Sequence, residues 1–166
     1  FLANSQLYEY YVLLKLYNYF DGADYELSRK DRFTYKVPNS KYFKNTMYAN
    51  TYCFQKGDVS ITMYYQPVIF FKKSMASNQI NIIRNTKLSM ANHINQKEIE
   101  GKFYLPDYII KFSKNGIDKY LILDSKYSNQ NPVKNWYFPN LTFKYLFSLA
   151  PIFDNCDIIG LCALNG

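Results

Sequence analysis

The chain has 166 residues, of which 48% are hydrophobic and 20% are charged, and this balance excludes wholesale disorder. Its length fits one domain over residues 1–166, and its apolar runs are too short to span a membrane as a helix. The formal net charge of +7 favours polyanionic partners, with nucleic acid as the first candidate. Three scattered cysteines and one histidine argue against a disulfide framework and a zinc site, and they favour a reduced, cytoplasmic setting.

The elements predicted from hydrophobic periodicity and turn signals begin almost at the first residue. We therefore expect a fragment of a longer protein, since no initiating methionine precedes them. In chain order, the sequence first predicts a helix over 5–20, a polar irregular stretch over 21–50, and strands over 52–55 and 59–71. A polar stretch over 72–101 follows, with room for a short strand at 80–83. The last predicted elements are strands over 104–112 and 119–127, a helix over 140–150 and a strand over 157–164. This order predicts an α/β fold with a mixed central β-sheet flanked by helices, in the order α-β-β-β-α-β.

Aromatic side chains are frequent, with 18 tyrosines and 13 phenylalanines. They are spread along the whole chain together with many asparagines, lysines and isoleucines. We therefore interpret them as core and half-buried surface residues, in preference to a dedicated platform for stacking nucleic-acid bases.

Asn115-Gly116 is the clearest local signal, because Asn-Gly is the strongest two-residue hairpin turn. A type I′ turn there fixes the register of the two flanking strands, and that register places Asp107 directly opposite Asp124. Directly opposed side chains point to the same side of a sheet, and Lys126, two residues further along, shares that side. We therefore expect two carboxylates and one ammonium group to converge at the open end of the hairpin.

Both faces of this hairpin carry large apolar side chains, so we expect the sheet to be covered on both sides. The face shared with the three charged groups carries Ile109 and Ile122. The opposite face carries Tyr108, Ile110, Leu121 and Leu123.

Two carboxylates with Cβ atoms about 5 Å apart repel each other, and a divalent cation between them relieves the repulsion. Oxygen ligands favour Mg²⁺, for which Mn²⁺ is expected to substitute. A neighbouring lysine can orient or deprotonate a water, or neutralise charge that builds on a phosphate. The alternative is a charged hairpin end held by Asp–Lys salt bridges, and the residues alone leave both interpretations open.

Glu9 shares one face of the first predicted helix with the apolar side chains of Val12, Leu13, Leu16 and Phe20. The rest of that helix is nearly all aromatic or aliphatic, so we expect it to be largely buried. A carboxylate on an apolar face is costly unless it is paired or metal-linked. The alternative is a glutamate in the first part of the helix that the helix macrodipole stabilises.

Pro106-Asp107, a strand, a turn, and then Asp124-Ser125-Lys126 after an apolar strand resemble the signature of the PD-(D/E)XK nuclease superfamily. In that superfamily a helix with an acidic residue precedes the pattern, as Glu9 does here, and a helix and a strand follow it. The chain is similar, more specifically, to the nuclease domain of McrC-like and LlaJI-like restriction proteins. The stretches that carry this similarity are Leu7-Tyr8-Glu9 and residues 63–67, 105–107 and 141–146.

The resemblance implies a restriction-endonuclease-like core and a Mg²⁺-dependent DNA endonuclease that hydrolyses phosphodiester bonds. It implies that Asp107 and Asp124 bind the metal with help from the Ser125 carbonyl. It implies that Lys126 positions or activates the attacking water, and that Glu9 holds a metal-bound water or a second ion. Glu9, Asp107, Asp124 and Lys126 would then be the catalytic residues.

The resemblance also implies DNA as a partner, with Lys144 on the following helix touching a phosphate unless it is simply a solvated lysine. A homodimer and an NTPase motor or specificity subunit stay open as further partners. One alternative function is an inactive nucleic-acid-binding or assembly module on the same fold. Another is the same core acting on RNA or branched DNA. The long polar insert over 72–102 departs from the pattern and leaves the strand order before Pro106 open.

Overall fold

A long N-terminal helix and a six-stranded β-sheet form the frame of the chain in a computed structural model. The structure describes residues 2–36, 43–44, 48–71, 73, 78–84 and 103–165. The elements are α1 (Leu2–Gly22), β1 (Glu26–Asp31), β2 (Tyr35–Lys36), β3 (Phe43–Lys44), β4 (Thr51–Lys56), β5 (Val59–Tyr65), β6 (Ile82–Arg84), β7 (Tyr108–Lys114), β8 (Ile117–Lys126), a helical run α2 over 130–146, β9 (Leu149–Pro151) and β10 (Cys156–Asn165). Two stretches of α2 are π-helical, namely Val133–Tyr137 and Thr142–Leu146.

The six strands of the main sheet lie in the order β1-β4-β5-β7-β8-β10. All neighbours in it are antiparallel except β8 and β10, which are parallel. A parallel pair needs a crossover connection, and α2 lies within that connection. The prediction of an α/β fold with a mixed sheet and flanking helices is thereby confirmed at the level of fold class. No helix in the described ranges combines the length and apolar character needed to cross a membrane.

The β7–β8 hairpin has the predicted turn and the predicted register. Asn115 and Gly116 have φ values of 51° and 75°, the two positive values that a type I′ turn requires. The pairing of Ile109 with Ile122 follows from that turn, as predicted. The sequence therefore fixes which residues of the two strands face each other.

The predicted pairing of Asp107 with Asp124 is wrong although the register is as predicted, because the ladder ends one pair earlier, at Tyr108 and Leu123. The Asp107 carbonyl instead accepts a 2.6 Å hydrogen bond from the main-chain N–H of Gln66, just beyond β5. Asp107 therefore lies immediately outside the ladder, at the end of the sheet that also carries Asp124 and Lys126.

Two hydrophobic cores cover the two faces of the sheet, as expected. Tyr108 and Ile110 of β7 lie in the core that also contains Val12, Leu13 and Phe20 of α1. The intervening side chains point the other way, into a core that contains Ile109 and Ile122 of the hairpin and Leu141 and Tyr145 of α2. The hairpin is thus held between α1 and α2.

The expectation that α1 is largely buried is wrong. Its start and end are close to the prediction, and Val12, Leu13 and Phe20 are buried as the pattern indicated. Its other face exposes large apolar side chains, namely Leu7, Tyr10, Tyr11, Leu14 and Tyr19. The reason is geometric: a helix against one face of a sheet buries one stripe of its surface, whatever the composition of the opposite stripe.

Other boundaries differ from the predictions for identifiable reasons. The predicted irregular stretch over 21–50 contains β1, whose mostly polar side chains are exposed at the sheet edge and give no apolar alternation. The strand predicted over 59–71 ends at Tyr65, because Gln66 takes a φ of 48° and Pro67 cannot donate to a ladder. The strand predicted at 80–83 is β6, displaced by one or two residues.

The helix predicted over 140–150 begins ten residues earlier, at Gln130, and residues 149–151 form β9 instead. Val133, Leu141 and Tyr145 are buried along this run while most of its other side chains are exposed, so the apolar pattern is sparse. Most of the polar insert over 72–102 lies outside the described residues.

Truncation of the hairpin core provides a test of this packing. Ile109 is fully buried beneath α2, so we expect Ile109→Ala to lower the free energy of unfolding by about 2–5 kcal/mol. The same substitution at Ile117, which is exposed beside the turn, should change it by less than about 0.5 kcal/mol. Urea denaturation of both variants measures the difference in the free energy of unfolding. Equal effects would contradict the assignment of Ile109 as buried and Ile117 as exposed.

Candidate functional site

Asp124 is the most deeply buried carboxylate at the end of the hairpin, with 3% of its surface exposed. A buried carboxylate is costly unless charged or hydrogen-bonding groups compensate it. Here the Lys126 ammonium contacts Oδ1 directly, and the Tyr145 hydroxyl lies 3.3 Å from Oδ2. Each oxygen of the Asp124 carboxylate therefore has its own partner.

Tyr145 connects α2 to the end of the hairpin. Its hydroxyl lies 3.2 Å from the carbonyl of Leu105 and 3.3 Å from Asp124 Oδ2, so one proton serves both acceptors. Burial raises the pKa of this phenol, and the charge of Asp107 adds to the effect, so Tyr145 stays protonated and acts as a donor. The sequence pattern did not single out Tyr145, because its role depends on a contact with a strand 21 residues away along the chain.

Asp107 is fixed by Ser125 on the opposite strand. Its Oδ2 accepts hydrogen bonds from the Ser125 main-chain N–H at 2.6 Å and from the Ser125 hydroxyl at 2.8 Å. The carboxylate thus accepts a main-chain N–H of β8 just beyond the last pair of the ladder, Tyr108 and Leu123. The predicted convergence of Asp107 with the β8 residues is therefore achieved through a side chain rather than through strand pairing.

Lys126 is half-buried and bends back along its own strand. Its Nζ donates to the Ser125 carbonyl at 3.2 Å in addition to its contact with Asp124. The resemblance implies that the Ser125 carbonyl binds a metal, and in the structure the Lys126 ammonium donates to this carbonyl. Lys126 and Asp124 lie on the same side of β8, as the two-residue spacing predicted.

The electrostatics of Lys126 link four charged groups. Burial lowers the pKa of Lys126, and the positive charge of Lys144 lowers it further. The negative charges of Asp107 and Glu9 oppose this shift. Each of these three charges acts on Lys126, so groups from α1, from the segment before β7 and from α2 lie within electrostatic range of this lysine of β8.

Glu9 is attached to the strand ends by three hydrogen bonds. Its Oε2 accepts from Gln66 Nε2 at 2.6 Å and from the Tyr65 hydroxyl at 3.3 Å. Its main-chain carbonyl accepts from the hydroxyl of Tyr108. Burial and the nearby Glu9 charge both raise the pKa of Tyr65, so this phenol remains a donor. Protein donors therefore satisfy the carboxylate of Glu9, the predicted acidic residue of α1. The sequence pattern did not predict the contact of Gln66 with this carboxylate.

Lys144 lies on the exposed side of α2 but is directed at the site. Its Nζ lies 4.7 Å from the centre of the Tyr145 ring and 5.7 Å from that of Tyr104, which are cation–π distances. Partial burial lowers its pKa, while Tyr104 and Asp107 oppose the shift. Lys144 thus presents an exposed cation beside Tyr104 and Tyr145, within electrostatic range of Lys126.

The donor chemistry at this end of the sheet suits a hard cation, because the candidate ligands are carboxylate and carbonyl oxygens. Ser125 engages Asp107, while Lys126 and Tyr145 engage Asp124. Among the residues that the structure describes, no three histidine, cysteine, aspartate or glutamate side chains form a ready metal-binding group. A divalent ion would therefore compete with the Lys126 ammonium for the Asp124 carboxylate.

No family model, curated protein or solved structure matches this chain. The relationship to the PD-(D/E)XK superfamily therefore stays a prediction. The site described above is defined by its own geometry: two aspartates, a glutamate and two lysines at one end of a mixed sheet.

The coupling between the two lysines can be measured. Removal of the Lys144 charge should raise the pKa of Lys126, because a neighbouring cation disfavours the protonated form. We expect Lys144→Gln to shift the Lys126 titration to higher pH, followed by NMR of the side-chain carbon beside the amine. Lys134→Gln, which removes an exposed lysine from the same helix, is the matched control. An unchanged or lower Lys126 pKa in Lys144→Gln would contradict the proximity of the two groups.

Proposed function

We propose that this chain is a metal-dependent DNA endonuclease domain with a PD-(D/E)XK-type core. The observation that carries the proposal is the convergence of Asp107, Asp124 and Lys126 at the end of the β7–β8 hairpin, with Glu9 of α1 beside them. A fold that gains nothing from chemistry has little reason to bury Asp124 and hold a second carboxylate next to it.

The order of elements supports the same proposal. A helix that carries Glu9, α1, precedes the antiparallel strands β5, β7 and β8, and then α2 leads to β10, which runs parallel to β8. These elements alone follow the α-β-β-β-α-β order that the resemblance implies for a restriction-endonuclease-like core. Of the other strands, β1 and β4 extend the edge of the same sheet, while β2 with β3 and β6 with β9 form two separate two-stranded sheets.

In this proposal Asp107, Asp124 and the Ser125 carbonyl would hold Mg²⁺, which supplies Lewis-acid stabilisation and a more acidic bound water. Lys126 has a lowered pKa, so it exchanges a proton more readily than an ordinary lysine and is suited to orienting or deprotonating a water. Tyr145 keeps the Asp124 carboxylate in one orientation by donating to Oδ2.

The remaining charged residues would act on the substrate and on the position of α1. Lys144 presents an exposed ammonium over the Tyr145 ring and within electrostatic range of Asp107, where it can hold a phosphate. Glu9 keeps the first helix in register with the strand ends through Gln66 and Tyr108. The overall reaction would be the addition of water across a phosphodiester P–O bond in DNA.

One observation favours a second candidate, an inactive nucleic-acid-binding module on the same fold. Protein donors engage both aspartates, and Asp107 is turned onto Ser125 rather than towards Asp124. Such a module would keep the basic surface and Lys144 but would not cleave. Cleavage assays separate the two candidates directly.

Plasmid cleavage provides the main test. We expect nicking or linearisation with Mg²⁺, none with EDTA, and a fall of at least about 100-fold in Asp124→Asn and Lys126→Gln, because each removes a group that acts on the reacting atoms. Asp157→Asn and Lys119→Gln make the same charge changes at exposed positions of β10 and β8 and should retain activity. Cleavage that survives Asp124→Asn would exclude this site as the catalytic centre.

The salt dependence of DNA binding tests the role of Lys144. If its ammonium neutralises one phosphate, Lys144→Gln should weaken binding on all sequences alike and reduce the slope of log affinity against log salt by about one. Fluorescence anisotropy on a duplex in EDTA measures that slope without cleavage. Lys119→Gln serves as the control at the far end of β8, and an unchanged slope in Lys144→Gln would place the phosphate elsewhere.

A further inference from the structure

A cleft of about 540 Å³ lies between the exposed face of α1 and the residue that follows Lys126. We call it the tyrosine cleft, because four tyrosines form its walls: Tyr8, Tyr10, Tyr11 and Tyr127. Leu7 and Leu14 complete the apolar lining. The expected distribution of aromatic residues, core and half-buried surface, does not account for this concentration at one place.

Two rings of the tyrosine cleft are more than half exposed. Tyr11 and Tyr127 are 54% and 58% exposed. Tyr8 lies between them, with its ring centre 6.3 Å from that of Tyr11 at an interplanar angle of 26°, and 6.0 Å from that of Tyr127. A cluster of adjacent, partly exposed aromatic rings is a surface against which a planar group can pack.

The charge around the cleft favours an anionic occupant. The Lys15 ammonium lies 5.4 Å from the centre of the Tyr11 ring, at the rim. None of the described residues that line the cleft is acidic. Exposed aromatic rings combined with cations, in a chain with a net charge of +7, are the features that bind unpaired nucleic-acid strands.

One wall of the cleft, Tyr127, lies at the end of the sheet that carries the proposed catalytic site. Tyr127 directly follows Lys126, and Tyr8 directly precedes Glu9, so adjacent residues serve the two sites. The Tyr10 ring lies 5.7 Å from the ring of Tyr65, whose hydroxyl donates to Glu9. Bases bound on the tyrosine rings would therefore lie at the same end of the sheet as Glu9 and Lys126.

We propose that the tyrosine cleft binds bases of an unpaired DNA strand whose phosphates lie at the Lys126 end of the sheet. Single-stranded or locally unpaired DNA is then the preferred substrate, since a base inside a duplex cannot enter the cleft. This substrate preference rests on the proposed nuclease function, whereas base binding itself requires no cleavage.

Binding of matched oligonucleotides in EDTA tests the cleft. The probes are a single strand of about 12 nucleotides, within the site size of stacking modules, and an abasic strand of the same length. Because the abasic strand keeps the phosphates and lacks the bases, we expect the chain to bind the base-bearing strand roughly 10-fold or more tightly. Anisotropy competition with unlabelled strands gives both affinities.

The variants assign that difference to the cleft. Tyr11→Ala and Tyr127→Ala should each remove most of the preference for the base-bearing strand, while Tyr11→Phe, which keeps the ring, should retain it. Tyr19→Ala is the matched control, because Tyr19 is 70% exposed on α1 and does not line the tyrosine cleft. Circular dichroism of each variant checks that it is folded.

Two results would overturn the inference. One is equal affinity for the base-bearing and abasic strands, or a preference that survives both alanine variants. The other is a dimer, seen by sedimentation, that Tyr11→Ala dissociates and that oligonucleotides do not, which would assign the cleft to a second copy of the chain.

The same experiment separates this inference from the nuclease proposal. Asp124→Asn should keep the preference for base-bearing strands although it abolishes cleavage. If the chain shows that preference but never cleaves, the nuclease proposal fails and the tyrosine cleft remains a base-binding site. If it cleaves through Asp124 without any preference for unpaired strands, the inference about the cleft fails alone.

Discussion

The register of the β7–β8 hairpin is the constraint on which the rest of the site depends. Two residues in the left-handed region, Asn115 and Gly116, fix that register at one end of the strands. Because side chains alternate along a strand, the same register decides which residues enter each core. A slip of one residue would turn Asp124 from the α2 side to the α1 side and separate it from Tyr145. The turn thus determines the side of the sheet towards which the charged residues point, about ten residues away along β8.

The two helices contribute to the site in different ways. α2 covers the face towards which Asp124 points, and it supplies both the buried donor Tyr145 and the exposed cation Lys144. α1 covers the opposite face and brings Glu9 around the strand ends, where Gln66 holds it. Charged groups from separated parts of the chain meet where the sheet stops, because only there can side chains from both layers approach one another.

The sequence predicted those parts of the structure that local rules determine. Asn-Gly sets a turn, a turn sets a register, and a register places Asp124 and Lys126 on one side of β8. β1 was not predicted, because its strand conformation comes from pairing with β4 and not from its own polar residues. The exposed face of α1 was not predicted either, since composition shows which residues are apolar but not which stripe meets a partner. The roles of Tyr145 and Gln66 depend on tertiary contacts that no local pattern encodes.

The bond between Asp107 and Ser125 has a consequence for rigidity. Strand ends are where a β-ladder frays, because the last N–H groups have no partner to hold them. On the β7 side of β8 the final rung is a side chain: Asp107 Oδ2 accepts from the Ser125 N–H and hydroxyl, so Asp124 lies inside that rung as it lies inside the β8–β10 ladder. Resistance to fraying is thereby extended to the residues that carry the charge. Asp107 Oδ2 is therefore used in this structural contact, and Oδ1 is the oxygen that can face a ligand.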